Sequence, residues 1–157
     1  QGFEVKKVVF HDLLDLGNDE YASQVSLEEL KSEVDVLSIH TPQTELTKGM
    51  IDKNFIDQMK RNFWFLNTAR GLSVVTDALV YGLKSGKILG AGLDVLDYES
   101  NSFENIFHSQ KNNPSFSYLI DAKNVLLSPH VAGWSVESHQ KLAQIISNKI
   151  CSRFGHF

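Results

Sequence analysis

Cysteine occurs once in 157 residues, proline three times and methionine twice. With Cys151 alone, no disulfide can form within the chain and a thiolate metal site lacks ligands, so a reducing, cytoplasmic setting fits. No apolar run approaches the roughly 20 residues that span a bilayer as a helix, and no signal peptide heads the sequence. The net charge is −4, and no Lys/Arg cluster offsets it. Nucleic acid and membrane are therefore not expected partners. No set of His, Asp and Glu has metal-ligand spacing, so no metal is expected. Repeats and low-complexity stretches are also missing. The chain starts at Gln1 rather than Met and stops just after an apolar helix; both ends read as cut from something longer.

What is present suits one globular domain. Apolar residues make up 42%, enough for a substantial core at this length. Short apolar runs alternate with amphipathic stretches, the pattern of a parallel α/β sheet. Strands are expected at residues 5–10, 34–39, 63–66, within 88–95, and at 125–127. Ser26-Leu27-Glu28-Glu29 is a capping box that starts a short helix. Asp52 can cap a helix through Lys60, and Thr76 one that Gly86 ends. Ser135 can cap the last helix, where Val136, Leu142, Ala143, Ile146 and Ile150 recur at helical spacing. Residues 97–123 read as a long polar loop with interspersed aromatics and a short helix near 103–108.

Ligands of open α/β sheets sit beyond the carboxyl ends of the strands. Asp12, Thr41, residues 67–70, Asp94 and His130 all fall at such ends. Singly, each has an ordinary explanation: a strand-end Asp caps or turns, and a lone His is structural or at the surface. Their common edge raises the case for the set.

Three motifs then become specific. They are Asn67-Thr68-Ala69-Arg70-Gly71, Gly90-Ala91-Gly92-Leu93-Asp94-Val95 with Glu99, and Ser128-Pro129-His130-Val131-Ala132-Gly133-Trp134. In this order and spacing the chain resembles the D-isomer-specific 2-hydroxyacid dehydrogenases, the family of phosphoglycerate, glycerate and D-lactate dehydrogenases. The resemblance runs over residues 5–154. It implies a Rossmann-like doubly wound parallel sheet, NAD as cofactor, and reversible reduction of a small 2-oxo acid to a D-2-hydroxy acid.

The resemblance also implies roles. Arg70 would bind the substrate carboxylate and 2-oxo oxygen through its planar fork of donors. His130 would give the carbonyl oxygen its proton and take it back in the reverse direction. Glu99 would hydrogen-bond the imidazole and fix its orientation. Asp94 would lie near the nicotinamide carboxamide. Asp12 would accept from the adenosine ribose hydroxyls and repel a 2′-phosphate, favouring NAD over NADP. Thr41, Pro42, Thr68 and Ala69 would line the cofactor. His40 and His11 are read as structural, His139 and His156 as solvated, and His108 as lying in the long loop. Trp134 would wall the pocket or pack under the last helix.

Against the family pattern, the sheet is incomplete. The G-x-G-x-x-G turn, expected about 20 residues before Asp12, does not occur, nor do the strand before it and the helix after it. Residues 1–157 would thus be a partial NAD-binding domain without the substrate domain or the segment that makes the family's homodimer. The strand at 5–10 would have to close the gap, detach, or pair with another chain, leaving residues up to about 25 poorly anchored and 34–154 better ordered. The chain alone is expected to be inactive. The alternatives are a non-catalytic NAD-sensing module of the corepressor type, or an inert truncated product.

Overall fold

The computed structural model describes residues 5–97 and 113–155. In chain order these form β1 (Val9–Phe10), β2 (Ser23–Gln24), α1 (Leu27–Glu33), β3 (Val36–Ile39), α2 (Lys53–Gln58), β4 (Phe63–Asn67), a 3-10 turn (Gly71–Ser73), α3 (Thr76–Lys84), β5 (Ile88–Leu93), α4 (Pro114–Asp121), β6 (Val125–Leu127) and α5 (Val136–Phe154). Strands β3, β4, β5 and β6 are neighbours in that order, and all pair in parallel. The parallel α/β expectation therefore holds.

Burial alternates along β3 and β4, because successive side chains leave opposite faces. Leu37 and Ile39 of β3, Phe63 and Phe65 of β4, and Ala91 and Leu93 of β5 point into one core. Helices meet them there through Leu30 of α1, Ile56 of α2, Leu79 and Leu83 of α3, and Phe116 and Leu119 of α4. Phe63 and Phe65 are completely buried, each worth about 1.5–3 kcal/mol of transfer free energy. The other face carries Val36, Trp64, Leu66 and Leu126, all exposed. Register puts Val36 beside Trp64 beside Gly90, and Leu66 beside Gly92 beside Leu126.

Several sequence expectations are met by local chemistry. Ser26 accepts from Glu29 N at 3.2 Å, Asp52 from Phe55 N at 2.7 Å and Ser135 from Ser138 N at 3.1 Å. Gly86 follows α3 with φ +75°, a conformation that costs glycine nothing.

Others need correction. Thr76 is not a cap: Val75 holds that position without a side-chain bond, and the Thr76 hydroxyl donates to Asp97 instead. The helix after Asp52 stops at Gln58, not Lys60. The supposed loop contains α4, started by Asn113, which accepts from Ser115 N and Phe116 N; the helix expected near 103–108 lies outside the described residues. No residue of α5 is buried, so its apolar stripe joins no core among the described residues.

Of the three possibilities for the first strand, detachment is the one observed. β1 shrinks to two residues and pairs only with β2, a strand too short to be read from sequence, in a separate two-stranded sheet. Side chains tie that sheet together locally. Gln24 accepts from Leu16 N and Gly17 N and donates to Leu14 O. Lys7 pairs with Glu33 of α1 at 2.5 Å.

Candidate active site

The carboxyl ends of β4, β5 and β6 lie level, with Asn67 beside Leu93 and Leu93 beside Leu127. Past the strands the chain stays laced. Asp94 N donates to Asn67 O at 2.9 Å, Ser128 N to Leu93 O at 3.0 Å, and His130 N to Asp94 O at 3.0 Å. The motifs that contain Arg70, Asp94 and His130 therefore share one edge of the sheet, where a parallel α/β fold presents ligands.

Asn67 shapes the first turn. It is 1% exposed; its Nδ2 donates to Arg70 O at 3.0 Å and its Oδ1 accepts from Ala69 N at 3.1 Å. Both ends of one buried amide thus fold the backbone out of the sheet and bring Arg70 to the surface. One guanidinium N–H donates to Ala69 O at 2.6 Å; a guanidinium has five such donors. Gly71 lies hard against the exit of β5, since a Cβ there would sit 1.9 Å from Leu96 O. Only glycine permits that approach, and it locks the Arg70 turn to the segment after Asp94.

Asp94 is 3% exposed and serves the third turn. Its Oδ1 accepts from Ser128 Oγ at 2.6 Å and Val131 N at 2.9 Å, and its Oδ2 from Ala132 N at 2.8 Å. Burial pushes the carboxyl upward, but these bonds together with the nearby His130 outweigh it and hold the group below the ordinary carboxylate range. His130 sits inside this bracket, exposed, with φ +56°.

Asp97 was not singled out from sequence. Its carboxylate accepts from Thr76 Oγ1 at 2.5 Å and Thr76 N at 3.3 Å, taking over the cap that Val75 cannot supply. Burial pushes this carboxyl upward, the Thr76 bonds oppose it, and Asp77 adds to the rise; the net direction is up. The one signal available was an apolar residue at the cap position, which demands an acceptor from elsewhere.

The cofactor candidates divide. Thr41 follows β3, and its Oγ1 is buried without a hydrogen-bond partner, an orphan that a polar ligand at this edge would satisfy. Thr68 and Pro42 are exposed and Ala69 is half-buried. Asp12 follows β1, exposed, with Oδ1 accepting from Leu14 N at 2.9 Å; β1 lies outside the four-stranded sheet. His40 Nε2 is 2.9 Å from Ser38 Oγ, and His11 Nδ1 is 3.1 Å from Val25 O, local bonds that suit structural roles. His139 is exposed. Trp134 is 74% exposed, so it does not pack under the last helix. Glu99, His108 and His156 lie outside the described residues. A groove at the starts of α2 and α3, lined in part by Asp52, Lys53, Asp57, Asp77 and Tyr81, shares no residue with this edge. No helix among the described residues is long and apolar enough to cross a membrane.

Comparison with known proteins identifies the family of the fold. Residues 1–132 match the family described as D-isomer specific 2-hydroxyacid dehydrogenase, NAD binding domain. The chain is 34% identical over 150 residues to an aromatic 2-oxoacid reductase of Clostridium sporogenes, covering 92% of this chain and 44% of that protein. It is 38% identical over 146 residues to a D-3-phosphoglycerate dehydrogenase of Haemophilus influenzae, covering 90% and 33%. Among solved structures it resembles the NAD-complexed D-isomer specific 2-hydroxyacid dehydrogenase of Lactobacillus delbrueckii ssp. bulgaricus, with TM-score 0.78, 29% identity, and coverage of 96% and 46%. The chain thus spans less than half the length of these relatives. It belongs to the D-isomer-specific 2-hydroxyacid dehydrogenases, through their NAD-binding domain.

Proposed function

We propose that this chain is the partial NAD-binding domain of an NAD-dependent dehydrogenase that interconverts a small 2-oxo acid and a D-2-hydroxy acid, with His130 as general acid and base. The observation that carries the reading is the lacing of three strand ends, which places the Arg70, Asp94 and His130 motifs on one edge. NAD supplies the hydride when bound, and the buried, unpartnered Thr41 Oγ1 fits a polar cofactor.

The chain's own residues supply the rest. Arg70 presents its guanidinium at the surface and takes the substrate carboxylate and 2-oxo oxygen, a geometry that Lys cannot reproduce. His130 delivers a proton to the carbonyl oxygen as the carbon is reduced, and removes it in the oxidising direction. Glu99, outside the described residues, would hydrogen-bond the imidazole and set its orientation. Thr68, Ala69 and Pro42 line the cofactor, and Asp12 takes the ribose hydroxyls. Asp94, through its remaining acceptor capacity, lies near the carboxamide.

These residues form half of a site. The chain contains no G-x-G-x-x-G turn, which in this fold holds the pyrophosphate on backbone N–H groups. Substrate selectivity and the homodimer contact are assigned to sequence outside these residues. The test is NADH oxidation with a panel of 2-oxo acids. The isolated chain should show no turnover. Grafted in place of the matching segment of the Clostridium reductase, it should support turnover. A folded graft that binds NADH but reduces none of the acids contradicts the reading.

A further inference from the structure

We propose that Asp94 is a positioning residue whose carboxylate holds His130 in its left-handed backbone conformation at the sheet edge. This deepens the reading of His130 as the acid and base, and rests on it.

A non-glycine residue at positive φ is uncommon and costs about 1–2 kcal/mol, so its neighbours must over-determine it. His130, at +56°, is the one such residue among those described. Pro129 before it fixes its own φ and restricts Ser128, which settles the approach to His130 but not its exit.

The exit is set by Asp94. Its backbone oxygen accepts from His130 N at 3.0 Å. Its carboxylate accepts from the next two amides, Val131 N at 2.9 Å and Ala132 N at 2.8 Å, and from Ser128 Oγ at 2.6 Å on the near side. Four bonds to one residue thus bracket His130: one from Ser128 upstream, one from His130 itself, and one each from Val131 and Ala132 downstream. Two consecutive amides held by one carboxylate fix the direction in which the chain leaves His130, and with His130 N already tied to Asp94 O the residue between these anchors is kept at its positive φ.

Charge and shape both matter. An ionised carboxylate is acceptor-only, with room for about four bonds, and three are used here. Asparagine of the same shape would aim an N–H₂ group at one of these donors, so it cannot serve both oxygens' partners. The carboxamide contact expected from the family resemblance draws on the remaining capacity; holding the turn uses most of it.

Backbone NMR of the isotope-labelled chain tests this directly. In the native chain, the amide-to-α-proton coupling and the carbon shifts of His130 should report positive φ. The Val131 and Ala132 amide protons should lie downfield, as donors to a carboxylate. Asp94→Asn should move all of these reporters and leave β3 and β4 unshifted. If Asp94→Asn fails to fold, Ser128→Ala keeps the charge, removes one of the four bonds and should move the same reporters by less. In the grafted enzyme, Asp94→Asn should lower kcat roughly 100-fold, the cost of an angstrom-scale misplacement, with little change in KM for NADH. Unchanged His130 reporters in both variants would overturn the proposal. So would a raised KM for NADH at unchanged kcat, which marks a cofactor contact only. A graft inactive before any substitution sinks the dehydrogenase reading and leaves the NMR result to decide this one.

Discussion

At the residue scale, the proposed acid and base, His130, is also the residue with the strained backbone. Its left-handed φ predicts an unusual ranking of substitutions. Both His130→Ala and His130→Gly remove the imidazole, but only glycine adopts positive φ freely. The glycine variant should be the more stable of the two by about 1 kcal/mol, read from paired denaturant titrations. At an ordinary helical or extended site the order is the reverse. Equal stability would mean that the turn is relaxed in solution.

Two neighbouring carboxyls should respond to pH with opposite sign. Asp94 is held below the ordinary carboxylate range, so its contribution is present above its unfolded value and lost as pH falls through the folded one. Asp94→Asn should cost about 2–4 kcal/mol at pH 7, with the gap closing below about pH 4. Asp97 is pushed upward, so its favourable contribution is full below its unfolded value and lost as pH rises through the folded one. Asp97→Asn should therefore flatten the fall in stability as pH rises above about 4. Urea melts at several pH values, giving the same sign for both variants, would contradict the assignments.

At the element scale, the helix caps separate what the core depends on from what it does not. Asp52 starts α2, which buries Ile56 completely, whereas Ser135 starts α5, which buries nothing. Each cap is worth about 1 kcal/mol to its own helix. Asp52→Ala should lower the global melting temperature by several degrees. Ser135→Ala should leave it unchanged and speed amide exchange in α5 alone, because that helix unfolds without taking the core along. A global shift with Ser135→Ala would show that α5 packs in solution.

The same elements show what the sequence makes readable. The caps at Ser26, Asp52 and Ser135 could be read because acceptor and donor lie three residues apart. Thr76 misleads because the acceptor at its helix start comes from 21 residues downstream, a distance that no local pattern spans. α4 had a legible start, Asn113 followed by Pro114 at the first helical position, hidden within a polar, aromatic-dotted stretch read as loop. β2 has only two residues, too few for an alternating pattern. For the site, the motifs placed Arg70, Asp94 and His130 at strand ends correctly. The bracket of bonds around His130 could not be read, because it joins residues 34–38 positions apart.

At the scale of the whole molecule, the described residues make a one-sided sheet. Helices bury one face, while Val36, Trp64, Leu66 and Leu126 stand exposed on the other. Both tryptophans are open to water, Trp64 at 50% and Trp134 at 74% exposure. Fluorescence of the isolated chain should therefore resemble that of free tryptophan, and acrylamide should quench both residues. A blue-shifted, protected Trp64 would mean that something covers the open face in solution. Contiguous exposed apolar surface of this kind also binds hydrophobic dyes. Trp64→Lys should reduce dye binding without unfolding the chain, because that side chain lies outside the core.

In the proposed function, Arg70 binds and His130 protonates a 2-oxo acid at the laced strand ends while NADH supplies the hydride. The most direct measurement is steady-state turnover of the best 2-oxo acid by the grafted enzyme, comparing its unaltered form with His130→Ala and Arg70→Lys. The account predicts that His130→Ala lowers kcat by about 100- to 10,000-fold, the usual worth of a positioned acid, with NADH binding intact, and that Arg70→Lys mainly raises KM for the acid. Turnover that survives His130→Ala would contradict it.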